Sequence, residues 1–297
     1  MRLVSLALLV PAVLSAQQPA PPVINGGLPS VNPKTSQIAF LSNRDGQNDL
    51  YVVNADGTGL QRLTNDATRK SFGTWSADGK TLLYSSGTMD STQIFAVETT
   101  ESGRRLLSSF AGYGPSFSND GRSMVYSLGR MPQSTAMTSS IDGSHSRRWR
   151  TDNATKFNFA WSPDDKQLAY TMLAGDSTRT LSVWVANADG TDARQVSQIA
   201  SAEGSPQWPA WSPDGKRLAI QVGKYSRDRT TNTAHIWLID VANSKATKLA
   251  PHDRAYLDET PSWMPDGKHI AFQSDRTGRM EIWIMSDDGT GARQITK

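Results

Sequence analysis

The sequence predicts an all-β fold, a six-bladed β-propeller of four-stranded antiparallel blades. One segment recurs along the 297 residues: an aromatic or apolar anchor, a turn close to Ser-Pro-Asp-Gly-Lys, and an apolar run such as Leu218–Ile220. A repeat of roughly 40 to 50 residues has room for about four short strands and their turns. Behind the N-terminal residues, no stretch of comparable length has the i, i+3, i+4 apolar spacing that indicates a helix. Repeated four-stranded units favour radial blades over a sandwich or a barrel.

Six copies of the repeat are expected to complete the ring. Five are evident, and a weaker first copy is recognised because the run Ile38–Phe40 falls in register with Leu82–Tyr84. The last copy ends its fourth strand at Thr296. The anchors, separated by 44, 42, 44, 50 and 52 residues, are Val31, Trp75, Phe117, Trp161, Trp211 and Trp263.

Each repeat predicts the same four strands in the same order. The anchor closes the first strand, and the next residues suit a tight hairpin because Pro fixes φ, Asp accepts backbone N–H groups and Gly takes a positive φ. Asp165, at one Gly position, is of a residue type that tolerates this conformation. The third strand, for example Glu281–Ser286, is apolar on both faces, as expected of a sheet covered on both sides. An Asp-Gly turn leads to the fourth. In the third repeat, Ser134–Ser140 is irregular, and looser packing is expected there.

The N-terminal residues predict a cleaved signal peptide and a short arm. Arg2 precedes an apolar stretch that ends at Leu14, which is shorter than the helix of about 20 residues that a bilayer requires. Cleavage is expected after Ala16, so residues 1–16 form the signal peptide. Residues 17–33 are rich in Pro and Gly and predict a linker or N-terminal arm before a propeller at 34–297. Residues 23–31 either form the inner strand of the first blade or add an edge strand to the last.

Composition excludes several kinds of function. Lys and Arg number 31 and Asp and Glu 28, with no long run of like charge, so no nucleic-acid partner is expected. Cysteine is absent, which excludes disulfides, thiolate metal sites, a cysteine nucleophile and a lipid anchor on cysteine. After signal cleavage we expect no membrane insertion. The expected product is a periplasmic or secreted monomer.

The repeats resemble the WD-repeat-like repeats of TolB-type β-propellers, in which WSPDGK-x-IAF is followed by S-x-R-x-G, a strand, Asp-Gly and R-x-LT. The segment Ser42–Thr64 matches the second part of this pattern over its whole length, and the resemblance covers about 265 of the 297 residues. Further matching segments are Trp211–Lys216, Trp263–Lys268, Ser274–Gly278 with Arg276, Glu281–Met285, Asp288–Gly289 and Arg293–Thr296.

The resemblance implies a periplasmic propeller that binds an envelope component. TolB itself has an N-terminal α/β domain and binds the outer-membrane lipoprotein Pal across one propeller face. About 17 residues separate Ala16 from the first repeat. This chain is therefore expected to lack the α/β domain and to share the propeller alone.

Similar repeats also occur in enzymes. Propellers cap prolyl-oligopeptidase-type and dipeptidyl-peptidase-type serine peptidases, whose catalysis requires a G-x-S-x-G elbow in a separate domain; no such elbow is found in this sequence. Propeller lyases that act on pectin fragments use a metal held by clustered histidines. The four histidines of this chain form no local pair with metal-ligand spacing. We expect a non-enzymatic protein with no catalytic residue, cofactor or metal. Ligands distant in sequence can converge on the axis, so a metal-assisted carbohydrate-active enzyme remains an alternative, as does a stand-alone relative of the peptidase caps.

Binding is expected where the loops depart from the repeat. Segments just before the anchors carry recurrent aromatic residues, and the loops between second and third strands are enlarged in the fourth and fifth repeats. Both sets reach one face, which predicts an aromatic ring with a cationic rim that binds a protein, a peptide or an envelope polymer. The Trp anchors themselves are expected to pack between blades. The predicted binding residues are Phe72, Tyr113, Phe157, Trp208, Tyr256, Glu259, Arg179, Lys224, Tyr225, Arg227 and Arg229.

Overall fold

Four consecutive strands form each of six antiparallel sheets, and the sheets follow one another along the chain as blades. The structure, a computed structural model, describes residues 26–66, 68–88, 91–99, 103–129, 133–150, 152–175, 180–226, 231–250 and 256–297. The expected signal peptide and residues 17–25 of the arm lie outside these ranges. The first strands of neighbouring blades contact one another in a closed circle, so they surround the axis. The predicted six-bladed, all-β propeller is therefore confirmed.

The strands of each blade run outward from the axis in sequence order. Blades 1 to 3 contain β1 (Gly27–Val31), β2 (Ile38–Ser42), β3 (Asp49–Val53), β4 (Gln61–Arg62), β5 (Lys70–Trp75), β6 (Thr81–Thr88), β7 (Ser91–Glu98), β8 (Arg104–Phe110), β9 (Tyr113–Phe117), β10 (Ser123–Leu128), β11 (Thr135–Ser140) and β12 (Arg147–Arg148). Blades 4 to 6 contain β13 (Thr155–Trp161), β14 (Gln167–Leu173), β15 (Leu181–Asn187), β16 (Arg194–Gln195), β17 (Ser205–Trp211), β18 (Arg217–Lys224), β19 (Thr233–Asp240), β20 (Ala246–Lys248), β21 (Asp258–Trp263), β22 (His269–Ser274), β23 (Glu281–Ser286) and β24 (Arg293–Gln294).

Helix is almost absent, as the sequence predicted. Within the described ranges, the one helical element is a 3-10 turn at Ser201–Glu203. No described helix has the length and apolar character needed to cross a bilayer. The irregular third blade is also as expected, since β11 buries only Ala136 and Ser139, whereas all five residues of β3 are buried.

Six apolar clusters fill the seams between blades. Each joins residues of two neighbouring blades, and one of them joins blade 6 to blade 1 through Ile284, Phe40 and their neighbours. At that seam the Gly26 N–H donates to the Met280 carbonyl at 3.0 Å, and the Leu28 N–H donates to Gln273 Oε1 at 2.8 Å. Since β1 is the inner strand of blade 1, the described blade begins at Gly27, ahead of position 34, and the ring closes by side-to-side packing of whole blades.

Three of the four indole anchors join neighbouring inner strands as well as packing between them. Trp75 donates from Nε1 to the Ser30 carbonyl at 3.0 Å, and Trp211 donates to the Ala160 carbonyl at 3.1 Å. Trp161 makes the equivalent bond with Ser116 at 3.2 Å. In each case the acceptor lies one residue before the anchor of the preceding blade. The anchors therefore have the packing role that the repeat predicted.

The turns after the anchors have the predicted chemistry. Gly79 has a φ of +71° and its N–H donates to the Ser76 carbonyl at 2.9 Å, which closes a tight turn. At the corresponding position, Asp165 has a φ of +57°. Its carboxylate accepts N–H groups of Asn119 and Asp120 at 2.8–3.0 Å. Asp165, in place of Gly, thus adds a hydrogen-bonded link between blades 3 and 4. This link uses the backbone N–H of Asn119, and most other repeats have Pro at that position, which has no N–H.

Acid is expected to destabilise the fold through these turns. The Ser76 hydroxyl and the Lys80 N–H hold the pKa of Asp78 below its usual value. A hydroxyl two residues away lowers, in the same way, the pKa of Asp120, Asp164 and Asp214 in the turns after the anchors. The same holds in the Asp-Gly turns before the fourth strands, for Asp56, Asp142 and Asp288.

A carboxyl whose pKa is lower in the folded chain contributes stability above its unfolded pKa of about 3.9 and loses it as the pH falls. We therefore expect the urea midpoint of unfolding to be constant between pH 7 and 5 and to fall steadily below pH 4. A midpoint at pH 3 equal to that at pH 6 contradicts the prediction.

Candidate functional site

A bulge interrupts the inner strand of every blade on the way to its anchor. In each, two residues of the inner strand oppose one residue of the second strand. In five blades the first bulged residue has a positive φ, which is unusual for side chains as large as tryptophan or as branched as threonine. Bulges re-aim side chains and are frequent beside functional sites. These five residues are Leu28 (φ 52°), Gly114 (60°), Asn158 (52°), Trp208 (53°) and Thr260 (48°).

An axial cavity of about 490 Å³ lies between the inner strands. We call the side of the propeller that carries the Ser-Pro-Asp-Gly turns the turn face, and the opposite side the loop face. The cavity extends from the bulges to a rim on the turn face. Small residues one position before the anchors form its middle layer: Ser30, Thr74, Ser116, Ala160, Ala210 and Ser262. The rim, two positions after the anchors, consists of Pro33, Ala77, Asn119, Pro163, Pro213 and Pro265.

Two of the predicted binding residues meet on the loop face between blades 5 and 6. The Tyr225 hydroxyl donates to Glu259 Oε1 at 2.7 Å, and Gln273 Nε2 donates to Glu259 Oε2 at 2.8 Å. Gln221 Nε2 donates to the Tyr225 oxygen at 2.8 Å, and Gln221 Oε1 accepts the N–H of Thr260 at 3.0 Å. The carboxylate is thus held on both oxygens by side chains of two blades, and it makes no ion pair with a described residue. We call Gln221, Tyr225, Glu259 and Gln273 the seam cluster.

Tyr225 presents its ring to solvent and its hydroxyl to the protein. The residue is 45% exposed, while its ring atoms lie so close to Gly223 that a Cβ there would approach them to 2.4 Å. Burial of the hydroxyl end, followed by the charge of Glu259, raises the pKa of Tyr225 well above its usual value. The hydroxyl therefore stays protonated and remains a donor to the carboxylate over the whole physiological pH range.

The other predicted residues that the structure describes lie on several blades. Trp208 lines the axial cavity, Lys224 is exposed at the end of β18, and Phe157 is half-buried in β13. Tyr113 is half-buried at the start of β9, and Tyr256 lies beside the Arg276 guanidinium, with 5.7 Å between the guanidinium carbon and the ring centre. The aromatic ring with a cationic rim stays a prediction. Arg179, Arg227 and Arg229, and the side chain of Phe72, lie outside what the structure describes.

Sequence reasoning missed the polar wall of the axial cavity, although a signal for it was present. The second bulged residue is proline in four blades, always two positions before the anchor: Pro29, Pro115, Pro209 and Pro261. Proline inside a strand is confined mainly to edges and bulges. A recurrent proline at that position therefore indicates an inner-strand bulge. In blades 5 and 6 the residue before the proline, Trp208 or Thr260, lines the cavity.

No group of three His, Asp or Glu side chains in the described ranges is arranged to hold a metal ion. The seam cluster has one carboxylate, and its hydrogen bonds are made to neutral partners. The axial cavity offers hydroxyl groups, an amide and aromatic surface. Both arrangements are suited to holding another molecule by contact and hydrogen bonding.

The fold and its two candidate sites define a β-propeller of WD-repeat-like blades with a polar side-chain cluster at one seam and a cavity on its axis. The family described as the TolB beta propeller domain matches residues 22–159 and 136–297. The chain belongs to this family.

Individual relatives agree with that assignment over parts of their length. An uncharacterized peptidase of Bacillus subtilis, YuxL, is 32% identical over 89 residues, which are 30% of this chain and 13% of that protein. This chain spans less than a third of the length of the curated relatives it matches. Among solved structures, TolB of Acinetobacter baumannii has a TM-score of 0.71 at 20% identity, covering 88% of this chain and 63% of TolB. Oligogalacturonate lyase of Vibrio parahaemolyticus has a TM-score of 0.59 at 15% identity, covering 90% of both chains. At such identities the structural likeness concerns the fold.

Proposed function

We propose that this protein is a periplasmic, non-enzymatic, monomeric binding protein that holds an envelope protein, a peptide or an envelope polymer on its loop face. The seam cluster is the observation that supports this function best. It combines a carboxylate that is fixed on both oxygens with the exposed ring of a tyrosine. Ordered aromatic residues next to charged groups are typical of the positions that dominate binding energy at interfaces.

Preorganisation is the physical reason why the seam cluster suits binding. Ordering a flexible side chain on binding costs about 0.5–1.5 kcal/mol, and Glu259 and Tyr225 are already ordered by one another and by the glutamines. The cluster also spans two blades, so a partner seated there touches the ends of β18 and β21 together. A periplasmic location is supported by the signal-peptide pattern and by the periplasmic location of TolB.

Affinity measurements on seam variants test the proposal. The tagged protein is used to isolate a partner from an envelope extract, and the partner is identified, purified and titrated calorimetrically against the wild type, Tyr225→Phe and Glu259→Gln. We expect each substitution to weaken binding at least tenfold, because one removes the donor that orders the carboxylate and the other removes its charge.

Lys166→Ala provides the matched control. Lys166 lies on the turn face, its side chain is 82% exposed, and it approaches Asp164 only to 3.9 Å. Its affinity for the partner is expected to equal that of the wild type. Seam variants that bind as tightly as Lys166→Ala rule out the loop-face site. Stoichiometric metal in the purified protein, with thermal stabilisation by Mn²⁺, Ca²⁺ or Zn²⁺, would instead favour the enzyme alternatives.

A further inference from the structure

The axial cavity contains polar groups that the protein leaves without partners. Ser30, Thr74 and Ser116 lie on three consecutive blades and line the cavity, as does Asn158 on the next blade. No side-chain hydrogen bond joins these hydroxyls, or the Asn158 amide, to another residue in the described ranges. Thus four neighbouring blades present unused donors and acceptors toward the axis.

Thr260 on blade 6 adds a buried group to this wall. The residue is 5% exposed, it lines the cavity, and its Oγ1 has no hydrogen-bond partner among the described residues. It also holds a φ of +48°, which is a strained conformation for a β-branched side chain. An unpaired buried hydroxyl and a strained backbone are both unfavourable for folding. Their coincidence in the wall of a cavity points to a ligand rather than to packing.

The charge of the wall limits the class of ligand. Among the described residues that line the cavity, Lys34, at the rim, is the one with a charged side chain. A deeper ionic group of a ligand would find no counter-charge there, and an uncompensated charge is costly to remove from water. The ligand that fits is therefore neutral and hydrogen-bonds in many directions.

We propose that the axial cavity is a binding site for a neutral saccharide unit. A pyranose carries hydroxyl groups around its ring, and each can both donate and accept, as the serine and threonine hydroxyls of the wall can. The wall groups are likewise arranged around an axis, on blades 1, 2, 3, 4 and 6. An extended peptide, in contrast, presents its N–H and C=O groups along two opposite edges.

The apolar part of the wall completes the complementarity. Trp208 lines the cavity at the bulge of blade 5, the side where the middle layer consists of Ala160 and Ala210. The C–H surface of a sugar ring packs on such an aromatic and apolar side, while its hydroxyls face the polar blades. A volume of about 490 Å³ falls within the usual range for ligand sites, roughly 300–1,000 Å³. The seam cluster adjoins this site, because Gln221 Oε1 accepts the N–H of Thr260. None of its four residues lines the cavity, however, so the inference goes beyond the proposed function.

Two substitutions remove the polar groups with little harm to the fold. Asn158→Gly deletes the amide at a positive φ, where glycine is unstrained. Thr260→Val replaces the unpaired hydroxyl by a methyl group of the same shape. In the free protein, Thr260→Val is expected to raise Tm by about 2 °C because it removes an unsatisfied buried group. Each substitution is expected to weaken saccharide binding about 3- to 10-fold, and the pair at least tenfold.

The probes are cellobiose, maltose and N,N′-diacetylchitobiose, with digalacturonate as a charged comparator and a blocked neutral tripeptide as a peptide comparator. Binding is measured by saturation-transfer NMR and calorimetry on the full mature chain. We expect at least one neutral disaccharide to bind the wild type with a Kd below about 1 mM. Thr247→Val, an exposed change on the outermost strand of blade 5, is the matched control and is expected to bind as the wild type does.

Three results would overturn the proposal. The first is that none of the neutral disaccharides binds at 10 mM. The second is that the double variant binds as tightly as Thr247→Val. The third is that digalacturonate or the tripeptide binds more tightly than every neutral sugar, which would assign the cavity to a different ligand class.

Discussion

Asp49→Asn is expected to lower the free energy of unfolding by about 3 kcal/mol, toward the lower end of the range for breaking a buried ion pair. The Asp49 carboxylate lies 2.9 Å from the Lys70 ammonium, and both side chains are 0% exposed. Arg62 and the Thr64 hydroxyl also donate to it, at 2.5 and 2.7 Å. Removing the charge leaves the buried Lys70 with Asp66 and two backbone carbonyls as acceptors, which is why the expected cost stays near 3 kcal/mol.

The loss should depend on pH in a defined direction. Burial raises the pKa of Asp49, but the hydrogen bonds from Lys70, Thr64 and Arg62 outweigh it, and the net effect is a lowered pKa. The stabilisation is therefore present above the unfolded pKa of about 3.9 and is lost as the pH falls through the folded value. At pH 7 we expect Asp49→Asn to melt roughly 6–12 °C below the wild type, with a smaller difference at pH 3.

Lys166→Ala serves as the control for this comparison, because it removes an exposed and weakly paired charge. Its effect should stay within about 0.5 kcal/mol. An Asp49→Asn protein that melts together with Lys166→Ala would show that the ion pair between blades 1 and 2 does not stabilise the ring. A temperature difference that grows as the pH falls would contradict the assigned direction of the pKa shift.

The regular part of the fold was predictable because the residues of each repeat specify the turns within that repeat. The pattern from Ser212 to Lys216 specifies a hairpin by local chemistry alone, and its spacing then fixes the number of blades. Even the exception at Asp165 followed from the conformations that aspartate tolerates. Local rules sufficed because each repeat packs against neighbours of the same design.

The candidate sites were only partly predictable because they depend on contacts between repeats. Tyr225 and Glu259 were both expected on the loop face, but their hydrogen bond joins residues 34 positions apart in different blades. This hydrogen bond requires the Tyr225 ring to pack over Gly223. The spacing of the repeats does not specify that contact. The axial position of Trp208 depends on a bulge of one extra residue, and a repeat length does not reveal where such a residue is inserted.

Trp211→Ala is expected to cost about 3–5 kcal/mol, the usual range for truncating a buried aromatic side chain. Trp211 is 8% exposed and belongs to the cluster that joins blades 4 and 5, together with Val185 and Ile220. Its Nε1 donates to the Ala160 carbonyl on the neighbouring inner strand. The substitution therefore removes both the packing of one seam and the bond between its two inner strands, and thermal or urea unfolding should show the loss.

Phenylalanine variants separate the two contributions. Trp211→Phe keeps a ring in the seam but removes the donor, so we expect a loss of about 1 kcal/mol from the hydrogen bond in addition to the smaller ring. Trp263→Phe is the matched control, since Trp263 is buried in the next seam and its Nε1 has no partner among the described residues. It should therefore cost less than Trp211→Phe. Equal losses of stability in the two phenylalanine variants would mean that the indole hydrogen bonds between inner strands contribute nothing beyond packing. A Trp211→Ala protein as stable as the wild type would refute the anchor role itself.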